Sequence, residues 1–137
     1  MEFVLEPIGI VHSPYLSREH APRQGRSSDT LSDIVIDKKY LPGLRDIGYH
    51  PHLVVLTWLD RADRTVLLAT PPGQGSEYGV FATRSPDRPN PIGICVVDVI
   101  EIKGGRIRVH GLDAVDGTPV LDIKPYIAEI DCVKAGK

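Results

Sequence analysis

Cysteine is scarce: the 137 residues hold only Cys95 and Cys132, without CxxC spacing or a cysteine-rich frame. Neither a disulfide scaffold nor a sulfur-rich metal cluster fits that count, and a reduced setting is the simplest reading. A surplus of positive charge is also missing, because 16 Lys and Arg stand against 18 Asp and Glu. A protein that coats nucleic acid through bulk charge is therefore excluded, and any RNA contact must be local. No apolar run approaches the ~20 residues that span a bilayer. Met1 to Pro7 lacks a basic region followed by a long apolar stretch, so no signal peptide is expected and the expected location is cytoplasmic. Helical periodicity is nearly absent. The one candidate helix runs from Leu41 to Ile47, with Pro42 near its start and Gly48 just beyond its end.

What is present reads as strand. Phe3 to Val11, Ile34 to Ile36, Leu53 to Leu59, Thr65 to Ala69, Ile92 to Ile102, Arg106 to His110 and Val120 to Ile123 are short β-rich runs between turn residues. Gly104-Gly105 joins two of them as a hairpin whose glycines allow positive φ. In the strand that follows, Arg106, Arg108 and His110 share one face and Ile107 and Val109 the other. Many short strands without βα alternation imply an all-β, mainly antiparallel barrel, filling residues 1–137 as a single domain.

Two stretches are too long to be plain connectors: Ser13 to Asp29, with Arg18, Arg23 and Arg26, and Pro71 to Pro91. Gly73 to Gly79 resembles a nucleotide-binding glycine loop, yet no helix follows to hold a phosphate, so a turn is expected. His50-Pro51-His52 offers two imidazoles without a third ligand nearby, so no metal is expected. Arg84-Ser85-Pro86-Asp87-Arg88-Pro89-Asn90-Pro91 carries three prolines in six residues, which fix φ and leave little entropy to lose on binding. Its arginines suit carboxylate or phosphate, and Asn90 suits a base edge. A stiff connector with salt-bridged arginines explains the same residues equally well. Asp116-Gly117-Thr118-Pro119 is likewise a standard turn on its own.

Taken together, the strings Val11-His12-Ser13-Pro14-Tyr15, Pro22-Arg23-Gln24, Gly79 to Ser85, Arg88 to Gly93 and Asp116 to Tyr126 resemble the TsaA/TrmO family over nearly the whole chain. The resemblance implies a β-barrel methyltransferase, working as a homodimer, that uses S-adenosylmethionine to methylate N6 of N6-threonylcarbamoyladenosine beside the anticodon of tRNA. It also implies cofactor contacts at Pro22, Arg23, Gln24, Arg84, Val96, Asp116, Gly117, Thr118 and Pro119. The family has a His-Gln pair where this chain carries Asp60-Arg61, and bacterial members extend into a further domain beyond the position of Lys137. Such chemistry needs an acceptor for the proton of a urea-like nitrogen, for which Asp122 is the candidate. Tyr126 is the candidate for a stacking or hydrogen-bonding wall. Arg88 and Asn90 are expected at the substrate, and Arg18, Arg23, Arg26 and Arg88 at tRNA phosphates. A non-catalytic S-adenosylmethionine- or RNA-binding barrel and a metal enzyme built on His50 and His52 are the competing classes.

Overall fold

The computed structural model describes residues 1–22 and 29–134. Eight strands form, β1 Gly9–His12, β2 Leu31–Ile36, β3 His52–Trp58, β4 Leu68–Ala69, β5 Tyr78–Gly79, β6 Ile92–Lys103, β7 Arg106–His110 and β8 Pro119–Pro125. Six of them close a barrel in the order β1-β2-β7-β6-β3-β8, and every pairing is antiparallel. Closure leaves no barrel strand with an open edge.

The pleat explains the core. Leu53, Val55 and Thr57 alternate inward along β3, and Ile107 and Val109 do so along β7. With Val11, Ile34, Val97 and Val120 they make one apolar interior in which most side chains are fully buried. Each such residue contributes about 1.5–3 kcal/mol by leaving water. On the outer face of β7, Arg108 Nε donates to Asp33 at 2.9 Å, which holds that carboxyl below its ordinary range. Gly104 takes φ 62 between β6 and β7, so the hairpin forms where its two glycines stand. Register shifts between Leu56 and Thr57 where β3 pairs β8, and again between Val99 and Glu101 where β6 pairs β7.

Three expected elements differ. Met1 to Pro7 stays outside the sheet, because Pro7 has no N–H to donate and the pairing begins at Gly9. Only Leu68–Ala69 of the Thr65 to Ala69 run pairs, with Tyr78–Gly79, as a ribbon apart from the barrel. The Leu41 to Ile47 helix is instead two 3₁₀ segments, Lys38–Leu44 and Ile47–Tyr49, separated by Asp46 at φ 68. Pro42 and Gly43 explain the short pieces, since one removes a donor and the other adds backbone freedom. An α-helix of four residues, Ala128–Asp131, follows β8.

Candidate functional site

One end of the barrel opens into a cavity of about 860 Å³. Residues from four stretches line it, between Arg18 and Pro22, Leu59 and Ala62, Thr83 and Ile94, and Asp113 and Thr118. Their ends are tied together by Asp87, which pairs with Arg18 at 3.3 Å and accepts the Asp63 amide at 2.9 Å. The proline loop thus clasps two neighbouring segments.

Within that loop Arg88 has a structural role. Its Nε donates to the Ser85 carbonyl at 2.8 Å and its Nη2 to the carbonyls of Val80 at 2.6 Å and Thr83. These charge-assisted bonds hold Val80 to Arg88 in one turn, with Val80 itself buried. Asn90 lies outside the cavity lining, and its Oδ1 accepts from Arg64 at 3.2 Å. Arg64 also caps the Trp58 ring, 5.0 Å from its centroid.

Four arginines line the cavity, namely Arg18, Arg61, Arg84 and Arg88. Arg18 is occupied by Asp87, Arg61 by the Leu16 carbonyl at 3.3 Å, and Arg88 by its own loop. Among the described residues Arg84 alone of the four has no hydrogen bond or ion pair. On the inner wall the Cys95 thiol donates to Asp113 Oδ1 at 2.9 Å. Burial raises the Asp113 carboxyl above its ordinary range. Burial, reinforced by the Asp113 charge, pushes Cys95 up to about 12, while the nearby Arg84 charge opposes the rise. Cys95 is therefore a neutral donor and no nucleophile at neutral pH.

The sequence candidates distribute unevenly. Pro22, Arg84, Arg88 and Thr118 line the cavity, as do Asp60 and Arg61 where the family carries its His-Gln pair. Thr118 is buried and donates to the Val115 carbonyl at 2.6 Å. Asp116, Gly117 and Pro119 stand beside the lining and knit it to β1: the Gly117 amide, at φ 87, donates to Val11 and Asp116 Oδ1 accepts the Ser13 amide. Val96 lies on the outer face of the barrel opposite Val54, away from the lining. Arg23 and Gln24, like Arg26, lie outside the described residues.

Asp122 and Tyr126 are not brought to this cavity within the chain. Asp122 faces a second cavity of about 490 Å³ at the opposite barrel end, 3.3 Å from Lys124. Tyr126 sets its ring edge-on to His52, which hydrogen-bonds Asp98 at 2.8 Å. His50 lines the second cavity, apart from that pair, and no group of three metal-ligating side chains occurs among the described residues. Nor does any helix among them reach the length and apolarity needed to cross a membrane. Asp113 escaped the sequence reading, although an acid set between Leu112 and Ala114, both buried, was a signal available there.

Residues 10–132 match the family model described as tRNA-methyltransferase O N-terminal domain. An Archaeoglobus fulgidus "S-adenosyl-L-methionine-binding protein" is 53% identical over 130 residues, covering 95% of this chain and 94% of the relative. A mouse "tRNA (adenine(37)-N6)-methyltransferase" is 36% identical over 92% of this chain, which spans only 31% of the mouse protein. The crystal structure of TrmO from Pseudomonas aeruginosa superposes with a TM-score of 0.82 at 30% identity, over the whole of this chain and 61% of that one.

Proposed function

Because the chain belongs to the tRNA-methyltransferase O N-terminal domain family, we propose that it methylates N6 of N6-threonylcarbamoyladenosine next to the tRNA anticodon, with S-adenosylmethionine as donor. One observation carries this reading. Pro22, Arg84 and Thr118, far apart in sequence, meet at a single cavity.

The residues there fit the donor. A volume of about 860 Å³ lies in the range of small-molecule sites. Leu59, Ile92 and Ile94 give it apolar walls, Arg84 a guanidinium without a partner among the described residues, and Asp113 a carboxylate. Arg84 and Pro22 would hold the donor with Thr118, while Arg23, Gln24 and the rest of the Asp116-to-Pro119 turn complete the contacts that the family resemblance implies. When bound, S-adenosylmethionine supplies an electrophilic methyl group on a sulfonium. The chain's own part is to align that group with the incoming nitrogen, exclude water and accept a proton.

A homodimer is the proposed working unit. Outside β6, Ile92 and Ile94 are 44% and 49% exposed and border the cavity. They continue onto Leu56 and Trp58 of β3 as an apolar strip. A second barrel on that strip would close the cavity's open side and bring further side chains to it. The proposed roles of Asp122 as proton acceptor and Tyr126 as wall depend on such a second copy.

A second reading, a binding protein without turnover, is favoured by one fact. The relative that this chain spans at 94% of its length is named for binding alone, whereas the mouse methyltransferase is spanned at 31%. Incubation with labelled cofactor and modified tRNA separates the two. Label in the tRNA supports the enzyme, and binding without transfer supports the alternative.

A further inference from the structure

Two of the charges that line the cavity, Arg84 and Asp113, are of opposite sign, and neither has an ion pair among the described residues. Arg84 stands at the mouth without an ion pair among the described residues, and Asp113 stands on the inner wall. They are not paired with each other, since no ion pair within 4 Å joins them. Both line the same cavity, where Asp113 holds the Cys95 thiol at 2.9 Å and the Arg84 charge is felt by that thiol.

From this geometry we infer that Arg84 and Asp113 form a bipolar clamp for a zwitterionic α-amino-acid group, the guanidinium taking its carboxylate and the Asp113 carboxylate its ammonium. The inference rests on the S-adenosylmethionine reading, and the group is the methionine end of that molecule. The other acids lining the cavity, Glu19 and Asp60, are exposed, where an ion pair is worth little. Asp113 is partly buried, so a cation set against it is screened less. Its Oδ1 accepts the Cys95 thiol, and its Oδ2 makes no hydrogen bond to another described residue. A carboxylate offers about four acceptor positions, so a thiol and an ammonium fit it together. The thiol also fixes the carboxylate's orientation, which makes Cys95 a positioning residue. Burial alone raises the Asp113 carboxyl, and an ammonium set against it would oppose that rise.

Calorimetry on the whole chain with two nucleosides tests this. S-adenosylhomocysteine carries the amino-acid end, and 5′-methylthioadenosine lacks it while keeping the adenosine and the sulfur. Wild type should bind S-adenosylhomocysteine at least about tenfold more tightly. Asp113→Asn keeps an acceptor for the thiol, and it should lose about tenfold or more for S-adenosylhomocysteine while 5′-methylthioadenosine changes by less than about twofold. Asp113→Glu should recover part of the loss. Retained 5′-methylthioadenosine binding also shows that the cavity has folded. Equal losses for both ligands would make Asp113 a ribose contact or a packing residue and overturn the clamp. Unchanged affinity for both would overturn it as well. If wild type binds both nucleosides equally, the clamp fails and the cofactor reading stands. If it binds neither, both fall.

Discussion

Asp113 accepts the Cys95 thiol at 2.9 Å on the inner wall of the cavity, so that a carboxylate is held partly buried by a neutral donor. Burial raises the Asp113 carboxyl in the folded chain, and that shift has a sign for stability. The folded state keeps its proton to higher pH than the unfolded chain does. Stability therefore falls as pH rises from the ordinary aspartate value of 3.8 through the raised folded value, and the loss persists above it. Asp113→Asn should unfold at a higher temperature than wild type at pH 7, by an amount that shrinks toward pH 4. Thermal denaturation of the ligand-free protein across that range checks it, and a difference independent of pH would refute the assignment.

Arg84→Ala should weaken S-adenosylmethionine binding at least about tenfold, as expected when a charged hydrogen-bond partner worth ~1.5–3 kcal/mol is removed. Its melting temperature should stay within about 2 °C of wild type, because surface changes away from buried partners usually cost little. Affinity unchanged in calorimetry would take Arg84 out of the site.

Arg88 should behave in the opposite way. Its guanidinium is spent on the Ser85, Val80 and Thr83 carbonyls, so Arg88→Ala should lower the melting temperature by roughly 5 °C or more. Arg88→Lys should recover little of this, since one ammonium cannot reproduce the forked contacts. A variant as stable as wild type that has lost only tRNA affinity would place Arg88 on the substrate side.

Gly93→Ala is expected to destabilise the barrel near the cavity. The added Cβ would lie 2.5 Å from Thr57 Oγ1 and 3.3 Å from the Leu59 side chain. Overpacking of this kind costs about 1–3 kcal/mol. Urea unfolding would show a lower midpoint with an unchanged slope, and an unaltered midpoint would mean that the strands relax freely.

Binding of tRNA should weaken only modestly with salt. Arg18 and Arg88 are already occupied by Asp87 and by loop carbonyls, which leaves few arginines for phosphates. Each contact contributes a slope of about −0.7 to −0.9 in log K against log salt. A steep dependence, as for a strongly basic binder, would contradict the proposed few contacts.

The barrel was legible wherever period 2 was strong. Arg106 to His110 matched its strand residue for residue, and Leu53 to Leu59 shifted by one, because alternating apolar side chains declare their buried face. The piece around Pro42 was misjudged because local signals for a helix start cannot show that Asp46 turns left-handed four residues later. At the site, the proline loop was legible as rigid. The use of Arg88 was not, since its partners are backbone carbonyls common to every residue. Nor could spacing along the Asp116-to-Tyr126 string reveal that Thr118 and Asp122 line cavities at opposite barrel ends.

Mixing two impaired chains tests the shared site. Arg84→Ala and Asp122→Ala should regain activity as heterodimers if a second copy supplies Asp122, and should stay impaired together if it does not. A protein that sediments as a monomer while methylating tRNA would end the dimer proposal.

The central claim meets its most direct test in methyl transfer from labelled S-adenosylmethionine to purified tRNA, with and without the threonylcarbamoyl group on the adenosine beside the anticodon. The account predicts label in the modified tRNA, at N6 of that nucleoside, and none in the unmodified one. Cofactor binding with no label in either tRNA would contradict it.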